Sequence, residues 1–145
     1  MYIVEIDPYS TMHEPLTIWL DFDGTIVEHA YPSIGQLNPY ALEVIEKLQK
    51  AGHRIILNTT RIEFNNGTFE EALDFLKEQG IALEEYTPQK LYPLPFNMDS
   101  IVLYQEMFID DMATNMPLTI CNELQGTMVN WVALERLFLE RGLIN

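Results

Sequence analysis

Cysteine is almost missing from this chain: Cys121 stands alone among 145 residues. One thiol cannot close an internal disulfide or build a multi-cysteine metal site. Histidine is scarce too, and His13, His29 and His53 are dispersed, so the thiolate and imidazole set of a zinc centre is lacking. Positive charge is the third shortage. Eight Lys and Arg stand against 22 Asp and Glu, giving a formal charge of −14 and a pI near 4.3. Tight binding to nucleic acid requires basic side chains that neutralise phosphates, and this chain offers few. No apolar run approaches the roughly 18–20 residues of a membrane span. The opening MYIVEIDPYST lacks a basic start and meets Glu5 and Asp7 at once, unlike a signal peptide. These shortages predict a cytoplasmic protein with no nucleic-acid and no membrane partner. The acidity itself reads as a solvated surface.

What is present is the composition of an ordinary globule, 48% hydrophobic and 21% charged, at a length that suits one domain over residues 1–145. Neither repeats nor low-complexity stretches interrupt it. Residues 2–6 could form a short extra strand or arm. Residues 16–21 read as a strand buried on both faces. A loop over 28–37 follows, and Asn38-Pro39 has the form of a helix start, with Asn as cap and Pro in first place. The helix that follows carries Ala41, Leu42, Val44, Ile45 and Leu48 at helical spacing and stops at Gly52. HRIILN is a second strand, TFEEALDFLKEQG a second helix, IALEEY a short strand, and TPQKLYPLPFN a proline-broken loop. EMFID is another apolar strand, PLTIC a weaker one, and MVNWVALERLFLERG a closing amphipathic helix whose Trp131, Leu134, Leu137 and Phe138 form one packed face. Alternating strands and helices predict an α/β fold with a mainly parallel sheet. Such sheets bind ligands at the carboxyl ends of their strands.

That end is where the unusual residues collect. The first strand runs into Asp21-Phe22-Asp23-Gly24-Thr25, the second into Asn58-Thr59-Thr60-Arg61, and EMFI into Asp110-Asp111. Four of the seven aspartates lie in these clusters. Strand alternation would turn Asp21 and Asp23 to one face and Phe22 into the core. Two like charges so placed need a cation, a proton or a chemical task. A carboxylate cluster suits Mg²⁺, which prefers oxygen ligands.

DFDGTIV resembles the D-x-D-G-T signature of the haloacid dehalogenase (HAD) superfamily of phosphohydrolases, and LNTTR and FIDD are similar to stretches of its small capless members, in the right order over about residues 17–115. The resemblance implies a three-layer α/β/α core with a doubly wound, Rossmann-like sheet. It implies Asp21 as the nucleophile that forms an aspartyl phosphate and Asp23 as general acid/base, with the Asp23 backbone carbonyl and Asp110 joining Asp21 as Mg²⁺ ligands. Gly24 would let phosphate approach the backbone, and Thr59 would bind the phosphoryl group with its hydroxyl. Asp111 would act through water or by holding a lysine. The family's phosphate lysine matches Lys90 better than Lys77, which sits mid-helix. Arg61 either contacts substrate, supports the site from behind or makes a surface salt bridge. His29 either reaches substrate or is an exposed loop residue. His13, His53 and Cys121 read as structural.

The segment after the first motif, IVEHAYPSIGQL, is long enough for a flap and too short for a cap domain, and the gap after the second helix is also short. A capless site takes a large substrate or borrows a lid from a second copy in a homo-oligomer. The expected partner is thus a small phosphorylated metabolite or a phosphoprotein, and the expected reaction Mg²⁺-dependent phosphomonoester hydrolysis. The rival reading is an inactive or phosphoryl-accepting, receiver-like module. Plainer roles exist for three of the residue sets: Asp21 and Asp23 as turn or cap residues, Asp110-Asp111 as a helix cap and Thr59 as a helix cap or turn residue.

Overall fold

A computed structural model describes residues 14–83, 85–87, 93–122 and 126–145. The order is β1 (Thr17–Leu20), α1 (Ala41–Lys50), β2 (Arg54–Asn58), α2 (Arg61–Phe64), α3 (Thr68–Glu78), β3 (Glu85–Thr87), α4 (Met98–Tyr104), β4 (Glu106–Ile109), β5 (Leu118–Asn122), β6 (Gly126–Val129) and α5 (Trp131–Glu140). The first four strands form one parallel sheet in the order β3-β2-β1-β4, and β5 and β6 pair as a separate antiparallel ribbon. Flanked by helices, this is a Rossmann-like three-layer α/β fold, as the strand–helix alternation predicts. Among the described residues no helix is long and apolar enough to cross a membrane.

Register explains the packing. Ile18 is level with Ile55 and Met107, and Leu20 with Leu57 and Ile109, so these side chains share one sheet face. All six are buried there in the main core. α1 presents Ala41, Val44, Ile45 and Leu48 to that core, and α5 presents Trp131, Leu134 and Phe138, with Leu137 partly buried beside them. His53 is structural, as expected: its Nδ1 accepts from Leu16 N at 3.0 Å and its Nε2 lies 2.7 Å from the Leu143 carbonyl.

Several boundaries differ from the sequence expectation. Asn38 does not cap α1, and Pro39 is not its first residue. The helix begins at Ala41 after Tyr40, which sits at φ 66. The Asn38 amide is engaged instead by two carbonyls, Thr25 O at 2.9 Å and Val129 O at 2.7 Å. The closing helix loses its first three residues: Met128 and Val129 belong to β6, and Asn130 caps α5 by accepting from Ala133 N at 3.1 Å. α2 and α4 are short helices that apolar periodicity could not resolve. α4 is nonetheless well signalled locally, because Asn97 Oδ1 accepts from Asp99 N and Ser100 N. The short strand expected at IALEEY is β3, shifted to Glu85–Thr87. The expected arm at 2–6 lies outside the described residues.

The strand order sets the site. β2 and β3 extend the sheet on one side of β1, and the chain then returns to place β4 on the other. The winding reverses between β1 and β4, and ligands of open α/β sheets occupy such a crevice at the carboxyl ends of the strands.

Candidate functional site

Asp21 N donates to Ile109 O at 3.0 Å, so the residue after β1 is stitched to the end of β4. Asp110 follows at once on β4. Asp21, Asp110 and Asp111 each offer a carboxylate oxygen, and these oxygens all lie within 4.8 Å of one another. Asp110 is buried, 1% exposed. Its Oδ1 accepts from Met112 N at 2.9 Å, which is a turn role, but its Oδ2 is buried with no hydrogen-bond partner among the described residues. An acceptor stripped of water and left unpaired costs free energy unless something fills the gap. Burial, followed by the charges of Asp110 and Asp111, holds Asp21 well above the usual carboxylate range. Burial also pushes Asp110 up to about 6, with the Met112 N–H opposing the rise and Asp111 adding to it. Three carboxylates this close together, one of them with a buried unpaired oxygen, could hold a metal ion. Asp111 therefore stands beside Asp21 and Asp110 rather than at the remove the family pattern implies.

Thr25 ties the trio to the loop. Its hydroxyl donates to Asp21 Oδ2 at 3.3 Å and accepts from Asp111 N at 3.3 Å. Its carbonyl accepts from Asn38 Nδ2 at 2.9 Å and from the Trp131 indole N–H at 2.7 Å, while Val129 N donates to Gly24 O at 3.0 Å. Gly24 takes φ 79, a left-handed conformation. A Cβ there would meet the His29 ring and stand 2.7 Å from Asp111 Oδ2. His29 itself contacts Asp111, Nε2 to Oδ2 at 2.8 Å, with its side chain 44% exposed.

Asp23 leaves this group. β1 ends at Leu20, and Asp23 lies in an isolated bridge with Val27, so simple alternation does not continue through the motif. Phe22 is fully buried as expected, but the two acids diverge. The Asp23 side chain is not in the trio. Both of its oxygens accept from Arg61, Oδ2 from Nε at 2.8 Å and Oδ1 from Nη2 at 2.7 Å. Arg61 is fully buried. Its remaining N–H groups are spent on carbonyls: Nη1 on Pro32 and Thr68, both at 3.3 Å, and Nη2 also on Ser33 at 2.8 Å. A guanidinium has five N–H donors, and all five are engaged. Arg61 is thus a buried partner of Asp23 and not the surface salt bridge that the sequence also allows.

Thr59 follows β2 in a buried position, and its Oγ1 accepts from Arg61 N at 3.2 Å, so the turn role is real. Lys77 is exposed in the last turn of α3. α3 runs back toward the strand beginnings, so Lys77 is carried away from the acids. Lys90 lies outside the described residues. Among the described residues, Arg61 is the one Lys or Arg paired with a site carboxylate. The other pairs join residues away from it: Lys47–Glu135, Lys50–Glu46, Arg54–Glu85, Arg136–Glu140 and Arg141–Asp99. Cys121 is partly buried rather than a core residue, and burial with Glu28 beside it pushes the thiol up to about 11. Thr25, Asn38 and Trp131 escaped the sequence reading as site residues. Only Thr25 carried a signal there, its place in D-G-T.

No family model and no curated protein matches the sequence. A conserved protein coded by a locus from Bacteroides thetaiotaomicron has a similar solved structure, with a TM-score of 0.57 and 26% identity over 88% of this chain and 93% of that one.

Proposed function

We propose that this chain is a metal-dependent phosphohydrolase of the HAD type, cleaving phosphomonoesters through an aspartyl phosphate on Asp21. The observation that carries the reading is the division of labour between the two motif acids. Asp21 joins Asp110 and Asp111 around a free buried oxygen, whereas Asp23 is held apart by Arg61. The nucleophile acts from within the carboxylate cluster where a metal would sit, and the acid/base acts from outside it, with its orientation fixed by Arg61. Mg²⁺ fits the all-oxygen donor set of Asp21, Asp110 and Asp111, and when bound would offset their repulsion and polarise the phosphoryl group.

The residues then divide the reaction as follows. An Asp21 oxygen attacks phosphorus as the ester P–O bond breaks. The departing oxygen takes a proton from Asp23. Water next gives its oxygen to phosphorus and its proton to Asp23, releasing phosphate and freeing Asp21. Arg61 occupies one lone pair on each Asp23 oxygen. The side chain remains 17% exposed, so a second lone pair can face substrate. Thr59 is level with this end of the sheet and offers a hydroxyl to the phosphoryl group. Lys90 is the proposed phosphate lysine.

The test is hydrolysis of p-nitrophenyl phosphate with Mg²⁺, with EDTA, and by Asp21→Asn. Activity should need the metal and vanish in the variant, since uncatalysed hydrolysis is extremely slow. Full activity in EDTA, or near wild-type kcat in Asp21→Asn, would overturn the reading. A stable aspartyl phosphate without turnover would favour the phosphoryl-accepting module instead.

A further inference from the structure

Arg61 holds more than Asp23. Its guanidinium carbon lies 5.0 Å from the centre of the Tyr31 ring, and the carbonyls it binds on Pro32 and Ser33 belong to the two residues that follow Tyr31. Asn66 Nδ2 donates to the Tyr31 hydroxyl at 2.8 Å. The Phe64 ring lies 5.2 Å from the Tyr31 ring at 45°. Tyr31 is thereby fixed by a cation, a hydrogen bond, a neighbouring ring and an anchored backbone. Even so, Tyr31 is 42% and Phe64 52% exposed. The two rings thus present a fixed aromatic surface to solvent. These two are held in place and left half in water, one residue removed from the Asp23 carboxylate.

We infer that Tyr31 and Phe64 form the wall of a leaving-group subsite that receives a flat ring, so that the preferred phosphomonoesters carry an aromatic ring on the alcohol or phenol side. This rests on the proposed role of Asp23: Tyr31 packs on the guanidinium that grips the Asp23 carboxylate, and the proposal places the departing group against that ring. Arg61 cannot bind that group, having no free N–H, and serves to fix the wall relative to the acid. The step is the one given above: the P–O bond breaks, Asp23 protonates the ring-bearing oxygen, and the alcohol leaves along the two rings.

The experiment compares 3-phenylpropyl, 3-cyclohexylpropyl and n-propyl phosphate with Mg²⁺. All three leave as primary alkoxides of similar basicity, so kcat/KM ratios report the ring and not the chemistry. The phenyl ester should exceed n-propyl by about tenfold, the scale of an aromatic contact plus the area it covers, and should exceed the cyclohexyl ester as well. Phe64→Ala, at an exposed position, should bring the phenyl to n-propyl ratio to within about twofold of one. Tyr31→Leu should do the same. A ratio near one in the wild type, or a ratio that survives in Phe64→Ala, overturns the wall. If p-nitrophenyl phosphate is turned over while that ratio is one, only the wall fails; if no ester is turned over, the phosphohydrolase reading fails with it. Free phosphotyrosine against a phosphotyrosyl peptide separates a metabolite from a protein as the source of the ring. A fall in kcat/KM for either in Phe64→Ala supports the wall; no fall for either, or turnover of neither, overturns it.

Discussion

Asp23 and Arg61 form a two-pronged pair, each carboxylate oxygen accepting one guanidinium N–H at 2.7–2.8 Å. The cation is fully buried and also closes the 31–33 loop against the start of α3. One side chain therefore sets the orientation of the acid and the position of the flap.

Arg61→Ala should be strongly destabilising. It strips the partner from Asp23 and removes the donor that the carbonyls of Pro32, Ser33 and Thr68 share. Removing one member of a buried ion pair costs about 3–5 kcal/mol, and the residual exposure of Asp23 places this case at the lower end of that range. Urea denaturation measures it. Arg61→Lys keeps the charge but not the fork; it should fold better than the alanine variant and still lose much of kcat.

Asp23→Asn should slow hydrolysis in proportion to how poorly the leaving group departs unaided. General acid catalysis is worth about 10²–10⁴-fold. An alkyl phosphate should lose that much in the phosphorylation step and a nitrophenyl ester less, with aspartyl phosphate accumulating on the latter. Rapid-quench burst kinetics distinguish the two. Equal losses for both esters would remove Asp23 from the acid role.

The metal-free protein should lose stability as pH rises from about 4 through 6. Asp110 is raised to about 6 and Asp21 is raised well above the ordinary range, mainly by burial. In that window the folded state keeps protons that the unfolded chain has released. Unfolding thus releases protons, and raising the pH favours it. Thermal melts in EDTA across this range should show Tm falling. Mg²⁺ should flatten the slope and raise Tm at neutral pH, because a ligand of the folded state stabilises by mass action. Asp21→Asn should raise the metal-free Tm at neutral pH by removing a carboxyl whose ionisation burial opposes.

Gly24→Ala should impair both folding and metal binding. At φ 79 a side chain is strained by about 1–2 kcal/mol. The new methyl would also drive into His29 and Asp111. Denaturation and Mg²⁺ titration together check it. Unchanged values in both would show that the loop relaxes freely.

The sheet was legible because β1, β2 and β4 are apolar runs that end in polar clusters, and buried parallel strands are written in that way. Two members of the trio were legible for the same reason: Asp21 and Asp110 follow strands that the winding makes neighbours, whereas the family pattern implies Asp111 at a remove. Asp23 was placed less well. Alternation assumes that the strand continues, but the chain turns at Phe22, and its carbonyl accepts from Thr25, Ile26 and Val27. Arg61 was visible as a residue and not as a fork, since its partners at 23, 32, 33 and 68 are distant in sequence. Asn38 misled because a good capping residue is also a good bridge between two carbonyls, and tertiary structure chose the bridge.

The chain contains two tryptophans, and Trp131 donates its indole N–H to the carbonyl of Thr25, whose hydroxyl touches Asp21. The indole is 1% exposed and belongs to α5, so it senses the motif loop from inside the core. Its emission is consequently an optical readout of the loop, built in without a label. With Trp19→Phe silencing the other fluorophore, occupancy of the carboxylate site can be followed in real time by intensity alone, on a protein that need not be turning anything over.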